Sequence, residues 1–185
     1  KELEGVHNRT DFDLKRHQEY SGKDLQYIDQ DNGNERYVPY IIETSAGLTR
    51  QLLMILCDAY EEEKVADKGN DDDWRTVMKF HPELAPITVA VLPLMKKDGL
   101  AELAQEIRSE LKHDYATDYD QSGAIGRRYR RQDEAGTPYC VTIDYDTKEN
   151  GTVTVRDRDS MEQERVHKDE LSAYIRNKIR NYKRS

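Results

Sequence analysis

Two cysteines, Cys57 and Cys140, are all that this chain of 185 residues contains. Neither has a neighbouring cysteine or a metal-type spacing, so a disulfide scaffold and a cysteine zinc site are both excluded, and reduced thiols are expected. Long hydrophobic runs are missing as well. No window reaches the ~18 apolar residues of a membrane span, so no membrane partner is expected. No charged-then-apolar leader opens the sequence, which points to the cytoplasm. His7, His17, His81, His113 and His167 show no paired metal spacing. A Gly-x-Gly-x-x-Gly or phosphate-loop signature is absent too, which weighs against a plain nucleotide-binding domain. The chain opens Lys1-Glu2-Leu3-Glu4-Gly5 without a methionine, as a piece of a longer protein would.

What is present in excess is charge. Charged residues make up 36% of the sequence, with 29 basic and 37 acidic side chains for a net of −8, against ~25% charged residues in ordinary globular domains. That composition gives a heavily solvated surface over a modest core. The imbalance is local: residues 1–82 carry a net of −7 and residues 83–185 a net of −1. Two basic clusters stand out, Arg127-Arg128-Tyr129-Arg130-Arg131 and the run Leu171–Ser185, which has five basic and no acidic residues. An acidic protein can still bind phosphate through such clusters.

Periodicity supplies the elements. Arg36–Glu43 reads as a strand that Pro39 pushes towards a sheet edge or a strand start. Ser45 reads as the cap of a helix over Ala46–Glu63, with Leu48, Leu52, Ile55, Leu56 and Ala59 at helical spacing. Lys64–Asp73 reads as a loop or insertion, Trp74–Phe80 as a short strand, and the acids Glu61–Glu63 and Asp71–Asp73 as solvated charge. The connection His81–Pro86, with two prolines, is the expected domain boundary. Beyond it strands at Ile87–Leu92, Tyr115–Tyr119 and Tyr139–Tyr145 alternate with helices at Gly99–Lys112 and Ala124–Glu134. A strand pair, Gly151–Arg156 and Met161–Val166, and a helix over Asp169–Tyr182 close the chain. The order predicts a three-layer α/β domain with a hairpin at one edge of its sheet.

Glu43-Thr44-Ser45-Ala46-Gly47-Leu48-Thr49-Arg50 is the stretch most suggestive of chemistry. A strand end delivers a carboxylate, a turn of small residues follows, and a helix starts with an arginine. Glu43 can accept an ammonium, and Arg50 can fork onto a phosphate. Read without further context, the same stretch is also a capped helix with a surface arginine.

This stretch resembles motif 3 of the class II aminoacyl-tRNA synthetases. Four longer words, Glu2–Leu14, Tyr37–Ser45, Ser122–Glu134 and Gly136–Cys140, are similar in order to glycyl-tRNA synthetases of the homodimeric type. The resemblance implies that residues 1–82 end an antiparallel class II catalytic domain, and that residues 83–185 form an α/β anticodon-binding domain with a mixed sheet. It implies ATP contacts from Glu2, Leu3, Gly47, Leu48, Thr49 and Arg50, with Arg50 the catalytic arginine at the γ-phosphate end. It implies glycine contacts from Glu43, Thr44, Ser45, Ala46 and Gly47. Glycine offers only an ammonium and a carboxylate, so its pocket needs a carboxylate and must exclude side chains. Thr44 stands where the family often has proline, and motifs 1 and 2 have no counterpart here.

The implied activity is glycine–tRNA ligation: activation of glycine with Mg²⁺-ATP, then transfer to tRNA(Gly), by a homodimer with no zinc in this segment and no DNA partner. Without motif 2 the segment alone is expected to be inactive. Arg127, Arg128, Arg130 and Arg131, interleaved with Tyr129, suit RNA backbone contact and base stacking. A solvated basic helix paired with Asp133 and Glu134, or arginines packed on the sheet, are the alternatives. At the level of function the alternative is a non-catalytic RNA-binding or interaction protein that reuses the anticodon-binding fold.

Overall fold

The computed structural model describes residues 2–65 and 74–183. The chain divides into two units, residues 1–54 and 55–185.

In the first unit β1 (Glu4–Thr10) pairs antiparallel with β4 (Ile41–Ala46), with a register shift between Asn8 and Thr10. Between them lie α1 (Phe12–Ser21) and a small hairpin of β2 (Tyr27–Asp29) and β3 (Glu35–Tyr37), where Tyr27 and Tyr37 meet edge to face with centroids 5.8 Å apart. The strand expected over Arg36–Glu43 is therefore two strands. They break at Val38–Tyr40, where Pro39 has no N–H for a ladder. α2 spans Leu48–Ala59. Ser45 is not its cap, because Ser45 lies inside β4 opposite Gly5.

The helix expected to run to Glu63 stops at Ala59, and β5 (Tyr60–Lys64) pairs with β6 (Trp74–Met78). Ion pairing explains why this acidic run forms a strand. Lys79 Nζ reaches Glu61 at 2.8 Å and also contacts Glu63, while Arg75 donates to Glu63 Oε2 at 2.7 and 2.9 Å. Glu61 and Glu63 are thus engaged rather than solvated. Most of the expected loop, residues 66–73 with Asp71–Asp73, lies outside the described residues.

The rest of the second unit is a five-stranded mixed sheet in the order β11-β10-β9-β7-β8. Its elements are β7 (Val89–Pro93), α3 (Leu100–Leu111), β8 (Thr117–Tyr119), α4 (Ile125–Ala135), β9 (Tyr139–Ile143), α5 (Tyr145–Asn150), β10 (Thr152–Asp157), β11 (Gln163–His167) and α6 (Leu171–Arg180). β7 runs parallel to β8 and β9, and β10 and β11 form the antiparallel edge hairpin. Alternation sorts the side chains into two cores. Val89, Val91, Val141 and Ile143 pack with Leu100, Ala104 and Ile107 of α3 and Leu171 and Ile175 of α6. Ala90, Leu92 and Cys140 pack on the other face against Ile125 and Tyr129 of α4. This is the expected three-layer α/β domain. α5 is an addition that periodicity does not show. Asp144, read as strand, instead caps it, with its carboxylate accepting from Thr147 N at 3.2 Å.

Candidate functional site

Two places gather the residues that the sequence singles out. In the first unit the β1–β4 register decides which side chains share a face, since directly paired residues and their second neighbours point the same way. Glu43 pairs with His7 and Ser45 with Gly5, so Glu43 and Ser45 lie on one face. Thr44 and Ala46 pair with Val6 and Glu4 on the other. Thr44 is thus turned away from Glu43. Glu43 is half exposed, with Oε2 3.4 Å from Arg9 Nε. Arg9 is held in turn by Asp13, at 2.7 and 2.8 Å.

Gly5, paired with Ser45, has no room for a side chain. A Cβ there would run into the His7 imidazole and come within 2.8 Å of Glu2 Oε1. The segments named for ATP also converge. Arg50 Nη1 donates to the Glu2 carbonyl at 2.7 Å, and Gln51 reaches the Leu3 carbonyl at 3.4 Å. Leu3, Gly47, Leu48 and Thr49 are exposed there. The structure therefore sets Glu2, Leu3 and Gly47–Arg50 side by side, next to the face that carries Glu43 and Ser45.

In the second unit the four arginines of α4 separate. Arg128 is 1% exposed. Its guanidinium donates to the carbonyls of Pro93 (2.6 Å), Asp120 (3.1 Å) and Leu94 (3.2 Å). Those carbonyls lie at the carboxyl ends of β7 and β8, where the connections α3 and α4 pass to opposite faces of the sheet. Ligands of open α/β sheets bind in such a crevice. Here the protein's own guanidinium fills it, and burial pulls the Arg128 pKa down while the Asp120 carboxylate opposes that fall. Arg128 is therefore not part of an RNA-facing surface.

Tyr129 is also turned inward. Its ring packs under the Arg156 guanidinium at 4.9 Å, and its hydroxyl shares a 2.6 Å hydrogen bond with Thr142. The ring on which base stacking is expected is thus already engaged on one side by Arg156 and at its hydroxyl by Thr142. Arg127 and Arg131 are exposed and Arg130 is partly so. Arg131 is braced by the Asp120 carboxylate and by the Ser122 carbonyl at 2.6 Å. Burial would raise the Asp120 carboxyl, but the Ser122 N–H and Arg131 hold it below the usual carboxylate value.

Around the same strand ends stand residues that sequence reasoning missed. Met95 and Tyr145 are exposed, and the Tyr145 hydroxyl touches Met95 Sδ at 3.6 Å and donates to Asp98 at 2.7 Å. Lys96 and Lys97 are exposed on the same loop. No sequence pattern marks this rim, because three separate βα connections build it.

The buried charges were missed too. Asp133 is fully buried and accepts from Arg156 (2.7 and 3.0 Å) and Arg75 (3.1 Å), so it does not pair with the arginines of α4. Arg158, 1% exposed, donates to the carbonyls of Gly136 and Phe80 at 2.9 Å and chelates Asp159. The period of two in Arg156-Asp157-Arg158-Asp159 is a usable signal, since it puts both arginines on one side of the extended run formed by the end of β10 and the residue after it. Among the described residues no group of three His, Cys, Asp or Glu side chains could hold a metal ion, and no helix is long and apolar enough to cross a membrane.

Residues 88–178 match a family model described as an anticodon binding domain. The whole chain is 76% identical to a glycine–tRNA ligase of Treponema denticola, covering 41% of that protein. It is 54% identical to the glycine–tRNA ligase of Treponema pallidum strain Nichols, with all of this chain and 44% of the relative aligned. Against that of Corynebacterium glutamicum it is 53% identical, with 96% of this chain and 38% of the relative aligned. The chain spans about two fifths of the length of the curated relatives it matches.

Proposed function

We propose that this chain, related over its whole length to part of the glycine–tRNA ligases, supplies such a ligase with its motif 3 pocket wall and its tRNA-binding domain. The observation that carries the reading is the shared face of Glu43 and Ser45 beside the Arg50–Glu2 contact. On this reading Glu43 takes the glycine ammonium, beside the wall that His7 and Glu2 close over Gly5. Arg50, held near the Glu2 carbonyl, meets the phosphate end of ATP, where placement and charge lower the barrier to attack by the glycine carboxylate. Thr44, Ala46 and Gly47 contribute backbone rather than side chains to the glycine site. Mg²⁺ enters as the counter-ion that ATP carries, and no step is assigned to it.

The limit between the catalytic part, residues 1–82, and the anticodon-binding part, residues 83–185, is placed at the His81–Pro86 connection. The start of the family match at residue 88 supports it, although the β5–β6 hairpin is tied to the later strands and helices through Arg75. The proposed partner of the second unit is tRNA(Gly), met by Arg127, Arg130 and Arg131 with the Lys96–Lys97 loop and Tyr145. The intact ligase would act as a homodimer in the cytoplasm. The test uses this chain with fluorescently labelled transcripts. Salt-sensitive binding of tRNA(Gly), stronger than of an unrelated tRNA, is expected, as is no glycine-dependent ATP–pyrophosphate exchange. Equal binding of both transcripts would overturn anticodon reading, and measurable exchange would overturn the inactivity of the segment.

A further inference from the structure

The basic run Leu171–Ser185 has no part in that reading, yet α6 does more than cover the sheet. Leu171 and Ile175 face the core. The next stripe of the helix, Tyr174, Asn177 and Asn181, lines a cleft of about 480 Å³ together with Tyr182 and the turn at residues 157–160. Tyr182 also borders a second cleft of about 620 Å³ with Arg176, Arg180 and His81, and it meets His81 edge to face at 5.1 Å. The first cleft is of the size that encloses small ligands, ~300–1,000 Å³.

The polar groups of this cleft divide into engaged and free. Asp157 accepts from the N–H groups of Asp159 and Ser160 at 2.9 and 3.0 Å. Asp159 is held by Arg158 at 2.7 and 3.1 Å and by the Tyr182 hydroxyl at 3.0 Å. Lys178 lies over the Tyr174 ring at 5.4 Å and pairs with Glu164 at 2.8 Å. The acids of the cleft wall are thus satisfied within the protein. Among the described residues the Asn177 amide has no hydrogen-bond partner, and Asn181 uses one donor on the Asn177 carbonyl at 2.8 Å. Lys183 on this cleft and Arg180 on the adjoining one, across Tyr182, form no ion pair among the described residues.

We infer that this cleft is a second RNA contact, which takes one unpaired nucleotide, with its phosphates on Arg180 and Lys183. Tyrosine faces stack bases of any sequence. Two side-chain amides one helical turn apart offer both donors and acceptors to a base edge, and only a single-stranded base exposes that edge. The cations without internal ion pairs complement a phosphate backbone, and Arg158 offsets the charge of Asp159, so that Asp157, held by neutral donors, is the acid of the wall that a phosphate must avoid. The inference rests on the RNA reading above, but it concerns the opposite face of the sheet from α4.

The experiment uses the whole chain, labelled tRNA(Gly) and several salt concentrations. Asn177→Ala with Asn181→Ala should weaken binding about five- to tenfold with an unchanged salt slope. Arg180→Ala with Lys183→Ala should weaken it and flatten the slope by roughly 1.4, at ~0.7 per single-strand phosphate. All four side chains lie on the surface, and circular dichroism checks the helix; Asn177→Ala alone serves if Asn181→Ala frays it. If both pairs bind as wild type while Arg127→Ala weakens binding, the cleft is not an RNA site and the RNA reading stands. A loss from the cation pair without one from the asparagines also overturns the inference, because no base then enters the cleft. If the wild type shows no salt-sensitive binding, the RNA reading itself falls, and the inference with it.

Discussion

α2 and α3 are both twelve residues long and both carry an apolar stripe, yet only α3 closes a core. α3 buries Leu100, Ala104, Ile107 and Leu111, whereas α2 buries only Ala59 and leaves Leu48, Leu52, Leu53, Met54 and Leu56 exposed. The difference extends to the two units. Among residues 2–54 only Gly5 is buried, while residues 55–183 contain two packed cores and three fully buried arginines. Amphipathicity shows which face of a helix is to be covered, not what covers it. In the first unit the candidate site therefore sits on a lightly packed strand pair. In the second, the candidate RNA face sits on a rigid support.

The largest effect that sharpens this contrast is expected at Asp133. Asp133→Asn keeps the volume but leaves the buried Arg156 without its counter-charge and Arg75 with Glu63 alone, an effect of ~3–5 kcal/mol for a broken buried pair. The melting transition of the second unit should fall by roughly ten degrees or more. A shift of only a degree or two would show that water reaches the cluster and that the rigid support is overstated.

Acid should act on the same unit. The carboxyls of Glu63, Asp120, Asp144 and Asp159 all lie below their usual values; burial opposes this in each, and arginine or lysine donors outweigh it. Groups with depressed folded pKa values stabilise the fold above their unfolded pKa and lose that contribution as pH falls through the folded one. The melting temperature should therefore hold from pH 7 to about 5 and drop below about pH 4. A decline already complete at pH 5 would mean that other groups govern acid stability.

The smallest effect compares the uncovered helix α2 with the packed sheet without destabilising either. Cys57 on α2 is exposed, whereas Cys140 is buried on the α4 face of the sheet, where burial pushes its thiol up to about 12. A thiol reagent at pH 8 should modify one cysteine per native chain, Cys57, and two only after denaturation. Rapid modification of both would mean that the core around Cys140 opens readily in the native protein.

Much of the fold is legible in the sequence because the second unit obeys simple periods. The alternation through Val141 and Ile143 and the 3.6-residue stripe of α3 both reappear as core. Local context hides the rest. Ser45 looks like a helix cap until β1 claims its position, and the Glu61–Glu63 acids look solvated until Lys79 and Arg75 are brought beside them. For the site, Glu43, Ser45 and Arg50 stand together as a word, and the structure adds which of them share a face. The basic word on α4 misleads. Its four arginines look equivalent in sequence, but a helix turns successive residues by about 100°, so Arg128 points under the strand ends while Arg127 points out.

That separation is the central claim, and single substitutions test it directly. Arg127→Ala and Arg128→Ala are compared for tRNA(Gly) affinity at several salt concentrations, alongside their melting curves. Arg127→Ala should flatten the salt slope by somewhat under one unit for each phosphate that Arg127 neutralises and change stability by no more than ~0.5 kcal/mol. Arg128→Ala should leave the slope in place at temperatures where the protein stays folded, but lower stability by about 2–4 kcal/mol, because buried carbonyls are deprived of a charged donor. The reverse pattern, a flattened slope from Arg128→Ala and a lowered melting temperature from Arg127→Ala, would contradict the account.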